Sequence, residues 1–164
     1  MNLERGLVVA GPAPAQTSKS KPPSLSARVA AQKKEIDALR ILGEALKFAP
    51  TNAQTLLITG RIQNRRSNYA AAEQATRAVL KGDPDNAEAL TLLGQVLHET
   101  DRYDEAIQVL EKSVALKGDN PEALNFYGVA LKSVGRLDEA RDYILKSLRL
   151  NDTMYGAYAN LNDL

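Results

Sequence analysis

The chain is 164 residues long, 25% of them charged, with a formal net charge of +1, one histidine and no cysteine. That length allows one sizeable core plus a leader, and the near-balance of charge removes any global pull towards nucleic acid or an anionic membrane. The missing cysteines exclude disulfides, thiol catalysis and cysteine-ligated zinc, and no run approaches the roughly 18 apolar residues of a membrane-spanning helix.

The balance hides an asymmetry. Residues 1–52 hold 8 Lys/Arg and 4 Asp/Glu, whereas residues 53–164 hold 13 and 16. Residues 1–23 read as a disordered leader, because "GPAPAQTSKSKPPS" is rich in Pro, Ser and Ala without periodicity. Ala13-Pro14-Ala15 has the look of a leader-cleavage end, but the apolar stretch Leu7 to Ala10 is short for a signal peptide and Glu4 sits where positive charge belongs. Secretion is therefore not expected, and the cytoplasm is the expected compartment.

Residues 24–50 follow as a capping helix, Leu25 to Phe48, started by Ser24 and closed before Pro50. Beyond it the chain superposes on itself with a shift of 34 residues. Gly60, Gly94 and Gly128 keep that spacing, as do Ala72, Ala106 and Ala140, and Glu88-Ala89-Leu90 returns as Glu122-Ala123-Leu124. A fixed period in the range of 20 to 50 residues marks a solenoid. The units are residues 53–86, 87–120 and 121–154, and residues 155–164 begin another first helix with Tyr158, Leu161 and Leu164 expected on its apolar face.

Each unit is a helical hairpin. Leu90, Leu93, Gly94 and Leu97 share one face of a first helix, and Ala106, Ile107, Leu110 and Val114 share one face of a second. Asn120-Pro121 fits an N-cap followed by proline at the first helical position. Asp83-Pro84 and Gly118-Asp119 punctuate the ends of second helices. Gly135 can end a first helix in the left-handed conformation, and Asp104-Glu105 and Asp138-Glu139 put negative charge beside the free N–H groups of the second helices. The recurrent glycines, each costing about 1 kcal/mol relative to alanine in a helix, are expected to face Ala106 and Ala140 so that the two backbones approach closely.

This pattern resembles the tetratricopeptide repeat family, whose 34-residue unit has apolar residues at unit positions 4, 7, 8, 11, 20, 24 and 27 and often proline at 32. The likeness is strong in units 87–120 and 121–154. Unit 53–86 is in register through Leu56, Gly60, Tyr69, Ala72 and Pro84, with Thr59 and Thr76 in place of core hydrophobes. Ala38, Leu42, Ala45, Phe48 and Pro50 match the second half of a unit, so the capping helix doubles as a degenerate half-repeat. The resemblance implies an all-α fold, a right-handed superhelical solenoid of antiparallel hairpins. Leu164 as last residue, without a partner helix, reads as a boundary cut through a longer protein.

Two sets of residues compete for a functional role. "QVLHETDRYDEAI", residues 95–107, surrounds His98 with Glu99, Asp101, Asp104 and Glu105. One unit later these become Lys132, Ser133, Gly135, Asp138 and Glu139, so only the capping pair recurs. Zinc would need further ligands at a spacing such as His-Glu-x-x-His, and no phosphate loop or nucleophile elbow occurs. The cluster therefore reads as a helix–turn–helix joint; no metal, cofactor or catalytic residue is expected, and the chain reads as non-enzymatic.

The second set is the surface that the family lines with first helices. Its inner positions fall on Leu57, Arg61, Asn64 and Arg65; on Glu88, Thr91, Gln95, His98 and Glu99; and on Glu122, Asn125, Val129 and Lys132. Amides and cations suit the backbone and acidic side chains of an extended peptide. The clamp for a terminal carboxylate found in chaperone-binding relatives is not matched, because Leu57, Arg61 and Leu92, or Thr91, Gln95 and Phe126, stand at its positions. The expected function is a protein-binding scaffold holding a peptide or partner helix, without nucleic acid or membrane. The alternative is the leading module of a larger sulfotransferase-like or glycosyltransferase-like enzyme. RNA reading is disfavoured by the 34-residue period and the net charge of −3 over residues 53–164. His98 would make binding sensitive near pH 6.5.

Overall fold

The computed structural model describes residues 24–164, so the leader, its alanine-proline-alanine end included, lies outside the described residues. Eight helices and no strand make up those residues: α1 (Leu25–Phe48), α2 (Ala53–Arg65), α3 (Tyr69–Gly82), α4 (Ala87–Glu99), α5 (Tyr103–Leu116), α6 (Pro121–Ser133), α7 (Leu137–Leu150) and α8 (Tyr155–Asn162). Pairs α2–α3, α4–α5 and α6–α7 are antiparallel hairpins, stacked through α3 on α4 and α5 on α6.

The boundaries repeat with the sequence. Asn52, Asn86 and Asn120 each cap a first helix, their Oδ1 accepting from Thr55 N at 2.8 Å, Ala89 N at 3.0 Å and Ala123 N at 3.3 Å. Pro121 sits at the start of α6. Each first helix then ends on a left-handed residue: Ser67 (φ 58°), Asp101 (φ 59°) and Gly135 (φ 81°). The next N–H reaches back to the helix, from Asn68 to Gln63 O, Arg102 to Leu97 O and Arg136 to Leu131 O at 2.9, 2.9 and 3.0 Å. This paired closure satisfies carbonyls that the helix end would otherwise leave free. Only one of the three positions is glycine, so two non-glycine residues carry the strain of the conformation.

Inside each hairpin a glycine of the first helix meets the second helix, although only partly as its sequence context suggests. A Cβ on Gly94 would overlap the Leu110 side chain, and one on Gly128 would lie 2.7 Å from Ile144 Cγ1 and 2.9 Å from the Ala140 carbonyl oxygen. Gly94 therefore makes room for a large side chain one turn beyond the alanine, whereas Gly128 meets both Ile144 and the backbone of Ala140, the close approach expected from the sequence. Leu110 and Ile144 are fully buried as a result, and full burial of such a side chain contributes about 1.5–3 kcal/mol. Two serines pin the same contact from the other end. Ser113 Oγ donates to Ala87 O at 2.9 Å, and Ser147 Oγ to Pro121 O at 2.7 Å.

Tyr158, expected on the apolar face of the last helix, is 45% exposed; Ala157 is the fully buried residue there, and Leu161 and Leu164 pack beside it. Ala157 packs with Ile144 and Leu148 of α7. At the other end α1 starts at Ser24, whose Oγ accepts from Ala27 N at 3.3 Å, and buries no residue along its 24 positions.

Candidate functional site

First helices α2, α4 and the start of α6 enclose a cavity of about 250 Å³, lined by Arg61, Asn64, Arg65, Glu88, Thr91, Leu92, Gln95, Asn120 and Glu122. The stacking creates it. Residues four and three apart on α2 (61, 65 and 64) and on α4 (88, 92, 95) fall on one helix side, and the 34-residue period brings those sides next to each other.

Charge is organised within it. Arg61 Nη2 donates to Glu88 Oε1 at 2.9 Å across the α2–α4 boundary, and Arg65 Nη2 reaches Glu35 of α1 at 3.5 Å. Both arginine side chains are about half exposed or more, 49% and 66%, so these pairs are screened and exchangeable. Asn64 differs: it is 8% exposed and its Oδ1 is buried with no hydrogen-bond partner. A buried unpaired amide oxygen is destabilising by about 1–3 kcal/mol. It is the sole buried side-chain oxygen or nitrogen without a partner among the described residues, and it stands in the cavity wall.

The thirteen residues expected to form one surface divide. Arg61, Asn64, Arg65, Glu88, Thr91, Gln95 and Glu122 share this cavity. Leu57 does not: at 3% exposure it belongs to the core formed with Leu56, Ala75, Val79, Ala89 and Leu92. Its position lies one residue after Leu56, on the side where α2 meets its neighbours. Thr91 is only a wall, 3% exposed, its Oγ1 lying 2.9 Å from Ala87 O and 2.8 Å from Ser113 Oγ. Asn125 is 6% exposed and accepts at Oδ1 from Asn160 Nδ2 of α8 at 3.1 Å.

His98, Val129 and Lys132 lie outside the cavity, towards the other ends of their helices. Lys132 Nζ reaches Asp163 at 3.7 Å. His98 Nε2 is 3.0 Å from Ser133 Oγ, and its ring tilts against Tyr103 with centroids 5.3 Å apart. Burial lowers the His98 pKa from its ordinary value, outweighing the opposite pull of Glu99 and Asp101. The sensitivity expected near pH 6.5 is displaced to lower pH. Two of the surrounding carboxylates, Asp101 and Glu105, have structural partners. Tyr103 donates its hydroxyl to Asp101, and Glu105 takes two hydrogen bonds from Arg102, at 2.8 and 2.7 Å. Arg102 also joins Glu73 of the preceding unit at 3.0 Å. Among the described residues no group of three or more His, Asp or Glu could hold a metal ion.

Sequence reasoning missed two lining residues. Leu92 is expected only at a position of the unmatched carboxylate clamp, and Asn120 only as a cap; its cap role at the mouth of α6 is what carries it to the cavity rim. The unpaired Asn64 oxygen had no signal in sequence.

These features define an α-helical repeat solenoid with a polar surface built from its first helices. Tetratricopeptide repeat family models match residues 57–121 and 97–161, and the chain belongs to the tetratricopeptide repeat family. Among solved structures it is similar to MamA from Desulfovibrio magneticus RS-1, at 24% identity over 83% of this chain and 77% of that one, TM-score 0.69. It is similar to an O-GlcNAc transferase of Thermobaculum terrenum at 29% identity, over 69% of this chain and 22% of that one, TM-score 0.66. The first repeat domain of RPAP3, solved bound to the HSP90 peptide SRMEEVD, is 21% identical over 68% of this chain and 88% of that one, TM-score 0.63. No curated relative matches the chain.

Proposed function

We propose that this chain is a non-enzymatic protein-interaction scaffold that holds an extended peptide or partner helix along α2, α4 and α6. The observation that carries the reading is the cavity of about 250 Å³ in which half-exposed Arg61 and Arg65 face Glu88, Gln95 and Glu122. A volume of that size takes one or two side chains of a ligand rather than a whole cofactor. Arg61 exchanges Glu88 for a ligand carboxylate at small net cost, since exposed ion pairs contribute only about 0–1 kcal/mol. Of the remaining expected residues, His98, Val129 and Lys132 extend the same face, Asn125 is covered by α8, and Leu57 supports the face from behind. Its compartment on this reading is the cytoplasm, and neither nucleic acid nor membrane is the target. Among the described residues no helix is long and apolar enough to cross a membrane.

The test is an array of immobilised peptides probed with the wild-type chain and an Arg61→Glu/Arg65→Glu variant. Loss of the acidic subset in the variant is the expected result. Identical binding patterns would remove the groove assignment, and salt-sensitive binding to single-stranded RNA in a fluorescence-anisotropy titration would replace it. The second reading, a repeat module ahead of a glycosyltransferase-like catalytic domain, is supported by the likeness to 22% of an O-GlcNAc transferase. A sugar-nucleotide site encoded downstream in the same reading frame would decide for it.

A further inference from the structure

Helix α1 ends as the second half of a repeat whose first helix is absent among the described residues. Ala38, Leu42 and Ala45 stand at the places held in the complete units by Ala106, Leu110 and Ser113 and by Ala140, Ile144 and Ser147, all six of them buried under a first helix. In α1 none of the three is buried, and among the described residues no first helix covers them. Ala45 is exposed, Ile41 is 60% exposed and Phe48 is 89% exposed. Only the neighbouring side of α1 is used, with Leu39 and Leu42 half-buried and Leu46 packed against the core of the first unit. The half of α1 preceding residue 35 carries Ala27, Ala30 and Ala31 at spacings of three and four, in phase with Ala38, Ile41, Ala45 and Phe48, and exposed Lys34 stands between the two groups on the same side. On either side of Lys34 the face has small residues at its beginning and large ones at its end.

We propose that a second copy of this chain covers that face, two α1 helices packing antiparallel about a two-fold axis that passes between residues 38 and 39. A first helix runs antiparallel to its second helix in every complete unit, so the early half of one α1 takes the place of the first helix the other lacks. In this register Phe48 falls at the level of residue 29 of the second copy, among Ala27, Ala30 and Ala31. The fit of large residue into small hollow is made twice, as an isologous contact requires. Charge agrees with the same register. On the open flank of the face, Lys33 comes beside Glu44 of the second copy and Asp37 beside Arg40, each pair again made twice. All four side chains are exposed in the single chain, where Glu44 contacts only Lys47, 2.8 Å away in its own helix.

Sedimentation equilibrium of the full chain across the micromolar range tests this. The wild type is expected to dimerise, and Phe48→Glu to weaken the dimer at least about thirtyfold, the effect of losing a central anchor of an interface. Two charge variants sharpen it. Lys33→Glu/Asp37→Arg and Arg40→Glu/Glu44→Lys each put like charges together in a homodimer, so each alone is monomeric, while an equimolar mixture restores all four pairs and dimerises. None of the altered side chains is buried, and thermal melts matching the wild type verify that the array is intact. A wild type that stays monomeric, a Phe48→Glu chain that dimerises like wild type, or charge variants that fail to associate on mixing would each overturn the proposal. So would a dimer lost in Arg61→Glu/Arg65→Glu but kept in Phe48→Glu, which would put the contact in the first-helix groove.

Discussion

Helix α7 and the second half of α1 carry the same register, Ala140, Ile144 and Ser147 against Ala38, Leu42 and Ala45, yet the first three are 0% exposed and α1 contains no buried residue. The difference does not lie in the helices. α7 has a complete first helix, α6, laid over it with a glycine at the crossing; among the described residues α1 has none. Apolar periodicity specifies which face a helix offers, and burial follows only where the chain supplies a partner for that face. The family's period thus distributes stability unevenly: the middle of the array is doubly covered, and the end helices are held on one side.

The largest test of this contrast exchanges the glycines. Gly128 lies 2.9 Å, through a hypothetical Cβ, from the Ala140 carbonyl, a backbone atom that cannot move aside, whereas a Cβ on Gly43 of α1 meets nothing within 4 Å. Gly128→Leu is expected to destabilise the chain by about 3 kcal/mol through overpacking. Gly43→Ala should stabilise it by up to about 1 kcal/mol, since only helix propensity changes there. Urea unfolding of the two variants reads both signs. A Gly128→Leu chain as stable as wild type would show that the hairpin contact is not close, and the contrast with α1 would collapse.

A smaller effect separates the units within the array. Ser147 and Ser113 tie their second helices to the carbonyls of Pro121 and Ala87, while the first unit has Val79 at the same place and no such bond. Ser147→Ala is expected to cost about 1 kcal/mol, the net value of one buried hydrogen bond, and Val79→Ser to gain nothing, because the surrounding pocket of the first unit is apolar. The same unfolding measurement decides it. Equal losses on truncating Ser147 and Val79 to alanine would mean that packing alone holds both units.

How far the fold was legible follows from the same comparison. The 34-residue period carries the hairpins, the Asn120 cap and the left-handed Gly135, because these are local and each has a residue-type signature. It does not carry the fact that Ser67 and Asp101 adopt the conformation of Gly135; repeat geometry imposes it on residues that would not choose it. Nor does it tell Leu57 from Arg61, four residues apart on one helix, since whether a helix side faces the groove or the next hairpin is set by inter-unit rotation. The candidate surface was readable as a set of register positions, and its division into a cavity, a wall and a covered end was not. Asn125 is covered because α8 brings Asn160 to it, a contact 35 residues away in sequence.

The smallest predicted effect lies at the joint between the second and third units. His98 is half-buried beside Ser133, with Glu99, Asp101 and Tyr103 around it. Its burial lowers the folded-state pKa below the ordinary value near 6.5. The unfolded chain therefore takes up the proton first as pH falls, so stability present above about pH 6.5 declines as pH drops towards and through the folded-state value. Nearby carboxylates, Glu99 and Asp101, limit the decline. Melting temperatures of wild type and His98→Asn at about pH 7.5 and 5.5 isolate the effect. The wild type should lose more on acidification than the variant. Equal losses would mean that the joint is open enough to hydrate the imidazolium, and that the middle of the array is less completely covered at His98 than at Ile144.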